Sequence, residues 1–251
     1  ATHYLKWLSN KNYDNILACR MHRFELDRHY DEIKWNNVDS VLFISEAMER
    51  RFHEKGNYHG NTHVTYDNLN FDEFPFNEKK RTMQIGMLGN IEPRKGVLEL
   101  IRYFGKLNLP NVKLSIAGKA KDAKYSKEIN LYISENNLKN DISIEGYVED
   151  LNKWYHSNDC IISNSIHEGT QTSIVEGVAT GCWAISRNWD GADEIVDNKG
   201  LFSNFEELEK CLKLFYNWND SERKENINSA REKLIEKLIN RPKMHDIISK
   251  L

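Results

Sequence analysis

The stretch Ser165-Ile166-His167-Glu168-Gly169-Thr170-Gln171-Thr172-Ser173-Ile174-Val175-Glu176-Gly177 sits between two short, mostly apolar runs at residues 159–164 and 182–186. Runs of that length read as buried strands, and the small-residue segment between them as a loop and a short helix. A helix joining two strands implies a parallel sheet. The loop before it then opens at the carboxyl end of the strands, where doubly wound α/β proteins bind their ligands. The fold class that follows is α/β. In this frame Ser173 is expected to cap the helix, with Glu176 in the first turn completing an S-x-x-E capping box and Gly181 as the stop. Free amides at such an N-terminus attract anions, so a diphosphate fits there while Glu168 and Glu176 accept hydrogen bonds from hydroxyls. A sugar nucleotide has that chemistry. On spacing alone, the same residues also describe an ordinary capped helix with a solvated loop glutamate.

Glu168, seven intervening residues and Glu176, flanked as S-x-x-E-G and followed by a small-residue helix, resemble the E-x7-E signature of the retaining GT-B glycosyltransferases of the GT4 type, the group 1 family. The resemblance implies a GT-B fold, a Rossmann-like parallel-sheet donor domain preceded here by part of a Rossmann-like acceptor domain. It also implies transfer of a hexose from a nucleotide-diphosphate donor to a glycan or lipid-linked acceptor hydroxyl, with retention and without a metal. Glu168 would hold sugar hydroxyls and Glu176 the ribose diol. The amides from Gly169 through Thr170 and Gln171 to Thr172 would line the sugar.

The remaining composition is compatible with this. A net charge of −3 over 251 residues argues against a nucleic-acid partner held by bulk electrostatics. Cys19, Cys160, Cys182 and Cys211 are widely spaced and read as reduced core thiols, not as a disulfide frame or zinc site. Apolar runs reach about five residues, against roughly 20 for a spanning helix, and no signal peptide is visible, so a cytoplasmic protein is expected. The sequence opens at Ala1 and lacks the family's glycine-rich loop of the first domain, so a missing N-terminal part or a fused domain is expected. Peripheral membrane contact would accompany a lipid-linked acceptor, although no basic amphipathic face stands out.

Residues 1–75 alternate strand and helix patterns: a strand at 15–19, a helix at 24–35, a strand at 38–44, a helix at 46–55 and a strand at 62–65. By resemblance this is the last part of a GT-B acceptor domain, with Cys19-Arg20-Met21-His22 supplying the active-site histidine, His22. Residues 66–80, with Asn68, Asp72, Pro75 and Asn77, read as the linker. Residues 76–220 form the expected donor domain, and 221–251 the C-terminal helices, which by analogy with GT-B proteins cross back to the first domain. The donor domain opens with a strand at 83–89 ending on Gly89, then Asn90-Ile91-Glu92-Pro93-Arg94-Lys95-Gly96 and an apolar helix. This turn resembles the family's "G-R-l-x-x-x-K-G", which gives Lys95 the role of meeting the diphosphate. Asn90 stands where the family has arginine, so Arg94 is only a second candidate.

Further strands are expected at 112–118 and 142–148, with a polar helix at 122–137 between them and a short helix at 149–157 after them. Tyr147 and Val148 are candidate base contacts or core residues. Glu194 reads as a cap or surface charge. The terminal helices at 206–217 and 221–239 bury Leu208, Leu212, Leu214 and Phe215 in one and Ile227, Leu234, Ile235 and Leu238 in the other, and a last helix ends at Leu251. His53, His59 and His63 are too irregularly placed to read as metal ligands. Two other functions stay open: a non-catalytic sugar-nucleotide-binding or assembly module derived from GT-B, and a sugar-nucleotide epimerase or hydrolase.

Overall fold

The computed structural model describes residues 2–11, 15–56, 58–66, 69–107 and 109–250. Asn68 of the expected linker and Leu251 lie outside them. Contacts divide the chain into two compact units: residues 1–68, 168–170 and 236–251 in the first, and 69–167 and 171–235 in the second.

The first unit contains α1 (Thr2–Ser9), β1 (Ala18–Met21), α2 (Arg23–His29), β2 (Ser40–Phe43), α3 (Glu46–Lys55) and β3 (Asn61–Val64). Its strands form a parallel sheet in the order β1-β2-β3, with Cys19 opposite Val41 and Val41 opposite Thr62. Met21, Leu26, Val41, Phe43, Met48 and Phe52 form its core. Ser45 starts α3 by accepting from the Met48 amide at 3.3 Å. The helix expected over 24–35 stops at His29 and gives way to single 3-10 turns. The Tyr30 carbonyl is taken by the Ile33 amide and by the Trp35 indole, which interrupts the i to i−4 ladder. The first strand lies three residues later than its apolar run suggested, and α1 was not foreseen.

The second unit alternates β4 (Gln84–Leu88), α4 (Val97–Phe104), β5 (Lys113–Ala117), α5 (Ala123–Glu135), β6 (Ile142–Gly146), α6 (Leu151–His156), β7 (Cys160–Ser163), α7 (Thr172–Ala179), β8 (Trp183–Arg187) and β9 (Leu201–Phe202). Helices α8 (Phe205–Asn217) and α9 (Asp220–Ile239) follow, and α9 carries the chain back into the first unit, where α10 (Met244–Ile248) lies. All its strand pairs are parallel, in the order β6-β5-β4-β7-β8-β9. That is the Rossmann order, and the direction of winding reverses between β4 and β7.

Every residue of β7 is buried, as expected of a strand covered on both faces. Trp183, Ile185, Leu208 and Phe215 are among the core side chains, and burial of each contributes roughly 1.5–3 kcal/mol. Leu214 departs from the apolar stripe assigned to α8. It is 42% exposed, and Cys211 takes its place on the buried face. Glu194 is buried, not a surface charge, in a single 3-10 turn. The two-residue β9 was too short to read from sequence. Among the described residues no helix is long and apolar enough to cross a membrane.

The amino edge of this sheet is tied by Asp159, which is fully buried. Its carboxylate accepts the amides of Thr82 and Met83 at 2.9 and 2.7 Å and lies 3.5 Å from the Arg223 guanidinium. These three partners hold the starts of β4 and β7 and helix α9 together.

Candidate functional site

The carboxyl edge is built differently. Strands β4, β5 and β6 lead to Gly89, Gly118 and Gly146, all at positive φ. The Gly89 amide donates to the Ala117 carbonyl at 3.0 Å, and the Gly118 amide to Gly146 at 2.7 Å. A Cβ on Gly118 would overlap the Gly89 carbonyl, whereas one on Gly146 would meet nothing within 4 Å. Bare backbone therefore floors this edge, which allows a ligand to approach closely.

The loop after β4 lies beside the end of β7. Pro93–Lys95 forms a single 3-10 turn closed by Gly96 at φ 64°. A side chain on Gly96 would strike Asn164, whose amide donates to the Gly96 carbonyl at 2.8 Å. The Ile166 amide donates to the Arg94 carbonyl at 3.0 Å, and Arg94 Nη1 donates to His167 O at 3.0 Å. Arg94 also pairs with Glu92 at 2.8 Å. Its guanidinium thus braces the loop. The Lys95 side chain runs over Gly89: a Cβ there would lie 3.7 Å from Cε and 3.8 Å from Nζ. An ammonium over bare backbone at the switch point suits a phosphate.

Helix α7 begins differently from the S-x-x-E expectation. Gln171, 4% exposed, is the N-cap residue, and its Nε2 donates to Ser173 Oγ at 3.2 Å. Ser173 is therefore the second residue of the helix, and Glu176 falls in its second turn. No capping box forms, and Thr180 followed by Gly181 at φ 90° ends the helix. The amides of Thr172 and Ser173 precede the first helical hydrogen bond and remain available to an anion.

Freed from capping, Glu176 accepts from the Tyr155 hydroxyl, Oε2 to Oη 2.6 Å. Burial pushes its carboxyl above the usual range; the Tyr155 hydrogen bond opposes this and Glu73 adds to it. Tyr155 is fully buried, and its own hydroxyl is pushed up by burial first and by Glu176 second, so it remains a donor. Tyr155 was not singled out from sequence, since its relation to Glu176 depends on how α6 lies on the sheet. Tyr147 is 66% exposed, which excludes the core alternative, with Lys119 Nζ 4.7 Å from its ring centre.

Within the first unit lie His22, Glu168, Gly169 and Thr170. His22 is exposed at the N-cap of α2, its amide bonded to Glu25 at 3.1 Å. Arg23 Nη1 donates to Glu168 O at 3.2 Å, and Thr170 Oγ1 to the Ile44 carbonyl at 2.7 Å. A Cβ on Gly169 would come within 2.5 Å of Ile44 Cδ1. These contacts hold the Glu168 main chain against the residue that follows His22. The sequence-derived set thus falls into two clusters: His22 with Glu168, Gly169 and Thr170, and Gly89, Arg94, Lys95, Gln171, Thr172 and Tyr147 along the carboxyl edge of the six-stranded sheet, with Glu176 a turn further along α7 against Tyr155.

Parallel strands in Rossmann order with a glycine-lined carboxyl edge define a doubly wound α/β unit. Residues 69–247 match the model of the glycosyl transferases group 1 family, and the chain belongs to that family. It is 23% identical over 206 residues to the poly(glycerol-phosphate) alpha-glucosyltransferase of Bacillus subtilis (strain 168), covering 78% of this chain but 29% of that protein. The chain therefore spans less than a third of this relative. Among solved structures it resembles TarM of S. aureus, with a TM-score of 0.80 and 18% identity over 96% of this chain and 51% of that one. It also resembles HepE of Anabaena in complex with UDP and glucose, with a TM-score of 0.73 and 18% identity over 94% and 72% of the two chains. These likenesses make the fold GT-B type.

Proposed function

We propose that this chain binds a nucleotide-diphosphate sugar along the carboxyl edge of its six-stranded sheet and serves transfer of the sugar, with retention, to a hydroxyl of a glycan or lipid-linked acceptor. The observation that carries this reading is the pairing at the switch point of Lys95 over Gly89 with the open amides of α7, with Glu176 one turn further along that helix, held by Tyr155. Lys95 and the Thr172 and Ser173 amides bind the diphosphate, whose charge grows as the bond to the sugar breaks. Glu176 accepts from the ribose diol, and Tyr147 lies against the base. Arg94 keeps the loop in place. Glu168, with the amides from Gly169 to Thr172, holds the sugar, and His22 serves the reacting carbon.

Family membership and the likeness to a poly(glycerol-phosphate) glucosyltransferase support a hexose donor and a role in bacterial surface polysaccharide synthesis at the cytoplasmic face of the membrane. Binding of UDP by HepE and TarM supports a nucleotide donor of that kind. The reading carries over the family's metal-free chemistry.

Turnover tests it. A hydrogen bond to a charged group is worth about 1.5–3 kcal/mol, and about 1.4 kcal/mol is a factor of ten. Glu168→Ala is expected to lower sugar transfer from the donor at least about tenfold, read by product mass. Transfer at the parental rate would remove Glu168 from the reaction.

A further inference from the structure

The amino edge of the six-stranded sheet holds a cavity of about 420 Å³, walled by residues 76–81 and by α9. It lies across the sheet from Lys95, since its walls bond to residues just ahead of β7 and β8. Its cationic residues are Lys79, Lys80, Arg81, Arg223 and Lys224, against Glu78 and Asp220. Only Lys224 forms an ion pair within this set, with Glu78.

The other cations are neutralised poorly. Lys79 Nζ donates to the carbonyls of Tyr155 and Asn158 at 2.9 and 3.3 Å and to Cys182 Sγ at 2.9 Å, with no carboxylate. Arg81 donates to the carbonyls of Tyr216 and Trp218 at 2.6 and 2.8 Å, again without one. Arg223 is 7% exposed, and its Nε is buried with no hydrogen-bond partner. Its one carboxylate, Asp159, stands 3.5 Å away and is already shared with two amides. Lys80 is exposed and makes no hydrogen bond or ion pair among the described residues.

Positive charge gathered around a cavity, with a buried guanidinium NH unsatisfied, is costly unless an anion enters. We propose that this cavity is a second ligand site, for a small phosphate-bearing molecule, separate from the donor cleft. Its volume falls within the range of small-molecule pockets and exceeds what a bare phosphate fills. The phosphate meets Lys80 and Arg223, with the Lys79 charge beside them, and the rest of the molecule meets Phe76 and Ile227, the apolar residues of the wall. Occupancy ties residues 76–81 to α9 and so stabilises the second unit.

The experiment is calorimetric titration of the full chain with inorganic phosphate at constant ionic strength, comparing the parent with Lys80→Glu, Arg223→Gln and Lys95→Ala. The expected result is one phosphate per chain, weakened about tenfold or more by Lys80→Glu and unchanged by Lys95→Ala. Arg223→Gln abolishes binding in a chain shown by circular dichroism to be folded. If that variant unfolds, Lys80→Glu, at an exposed side chain, carries the test. A folded parent that binds no phosphate, or binding that survives Lys80→Glu, overturns the proposal. Binding lost in Lys95→Ala alone assigns the ion to the donor cleft and overturns it too. Failure of nucleotide binding would leave this result untouched, because the two sites share no residue.

Discussion

The two edges of the six-stranded sheet are made from opposite materials. At the amino edge, Asp159, Arg223 and Lys79 fill the space with charged side chains whose hydrogen bonds join strands and α9. At the carboxyl edge three successive strands lead to glycines, and the long side chain over Gly89, that of Lys95, comes from the following loop. One edge is built from charged side chains and the other from bare backbone. Stability and nucleotide binding should therefore separate along the strands.

The largest effect belongs to the amino edge. Asp159→Ala leaves Arg223 as an uncompensated buried charge and two amides without an acceptor, and is expected to cost about 3–5 kcal/mol in urea unfolding of the second unit. Nucleotide affinity of the folded fraction should hardly change. If affinity fell in proportion to stability, the two edges would not be independent.

Gly118→Ala makes the converse case. Its new methyl group meets the Gly89 carbonyl at a backbone angle that side chains disfavour. Overpacking and strain of this kind cost about 1–3 kcal/mol. The carboxyl edge must shift, so nucleotide binding should be lost even at temperatures where circular dichroism shows the variant folded.

Glu176→Gln sharpens the contrast further, because its two effects have opposite signs. Burial raises the carboxyl's pKa above its value in the unfolded chain. Its contribution to stability is therefore present below the ordinary carboxylate range and lost as pH rises through the raised value. The glutamine variant, free of this cost, should be more stable than the parent above that value, with the advantage closing as pH falls. Nucleotide affinity should move the other way, weaker in the variant at neutral pH, and falling in the parent as acid protonates Glu176. Thermal melts and titrations across pH check both. The smallest effect is that of Tyr155→Phe, which removes one hydrogen bond to a carboxylate, worth about 1.5 kcal/mol at the low end of the range for charged groups. It is expected to weaken nucleotide binding severalfold while leaving the core filled.

Much of this was legible in the sequence, for identifiable reasons. Apolar runs bounded by glycine gave β4, β5, β7 and β8 to within a residue or two, since buried parallel strands need continuous apolar side chains. Lys95 and Gly96 were picked out by the resemblance of residues 89–96 to a family turn, which is a contiguous pattern. The cap of α7 was not: Ser173 suits the role, but the chain reaches the helix from a loop whose residues 168–170 are fixed elsewhere, and Gln171 takes the first position. Consequently Glu176 escapes capping and turns to Tyr155. That pairing, like the burial of Glu194 and the bonds of Asp159, joins residues from separate elements. Only their packing reveals it.

The most direct test is calorimetric titration of the chain with a panel of nucleoside diphosphates and their sugars, beside Lys95→Ala and Glu176→Gln. The account predicts that one nucleotide binds at a single site and that each substitution weakens it about tenfold or more. A folded chain that binds none of them, or binds one equally well after both substitutions, would contradict it.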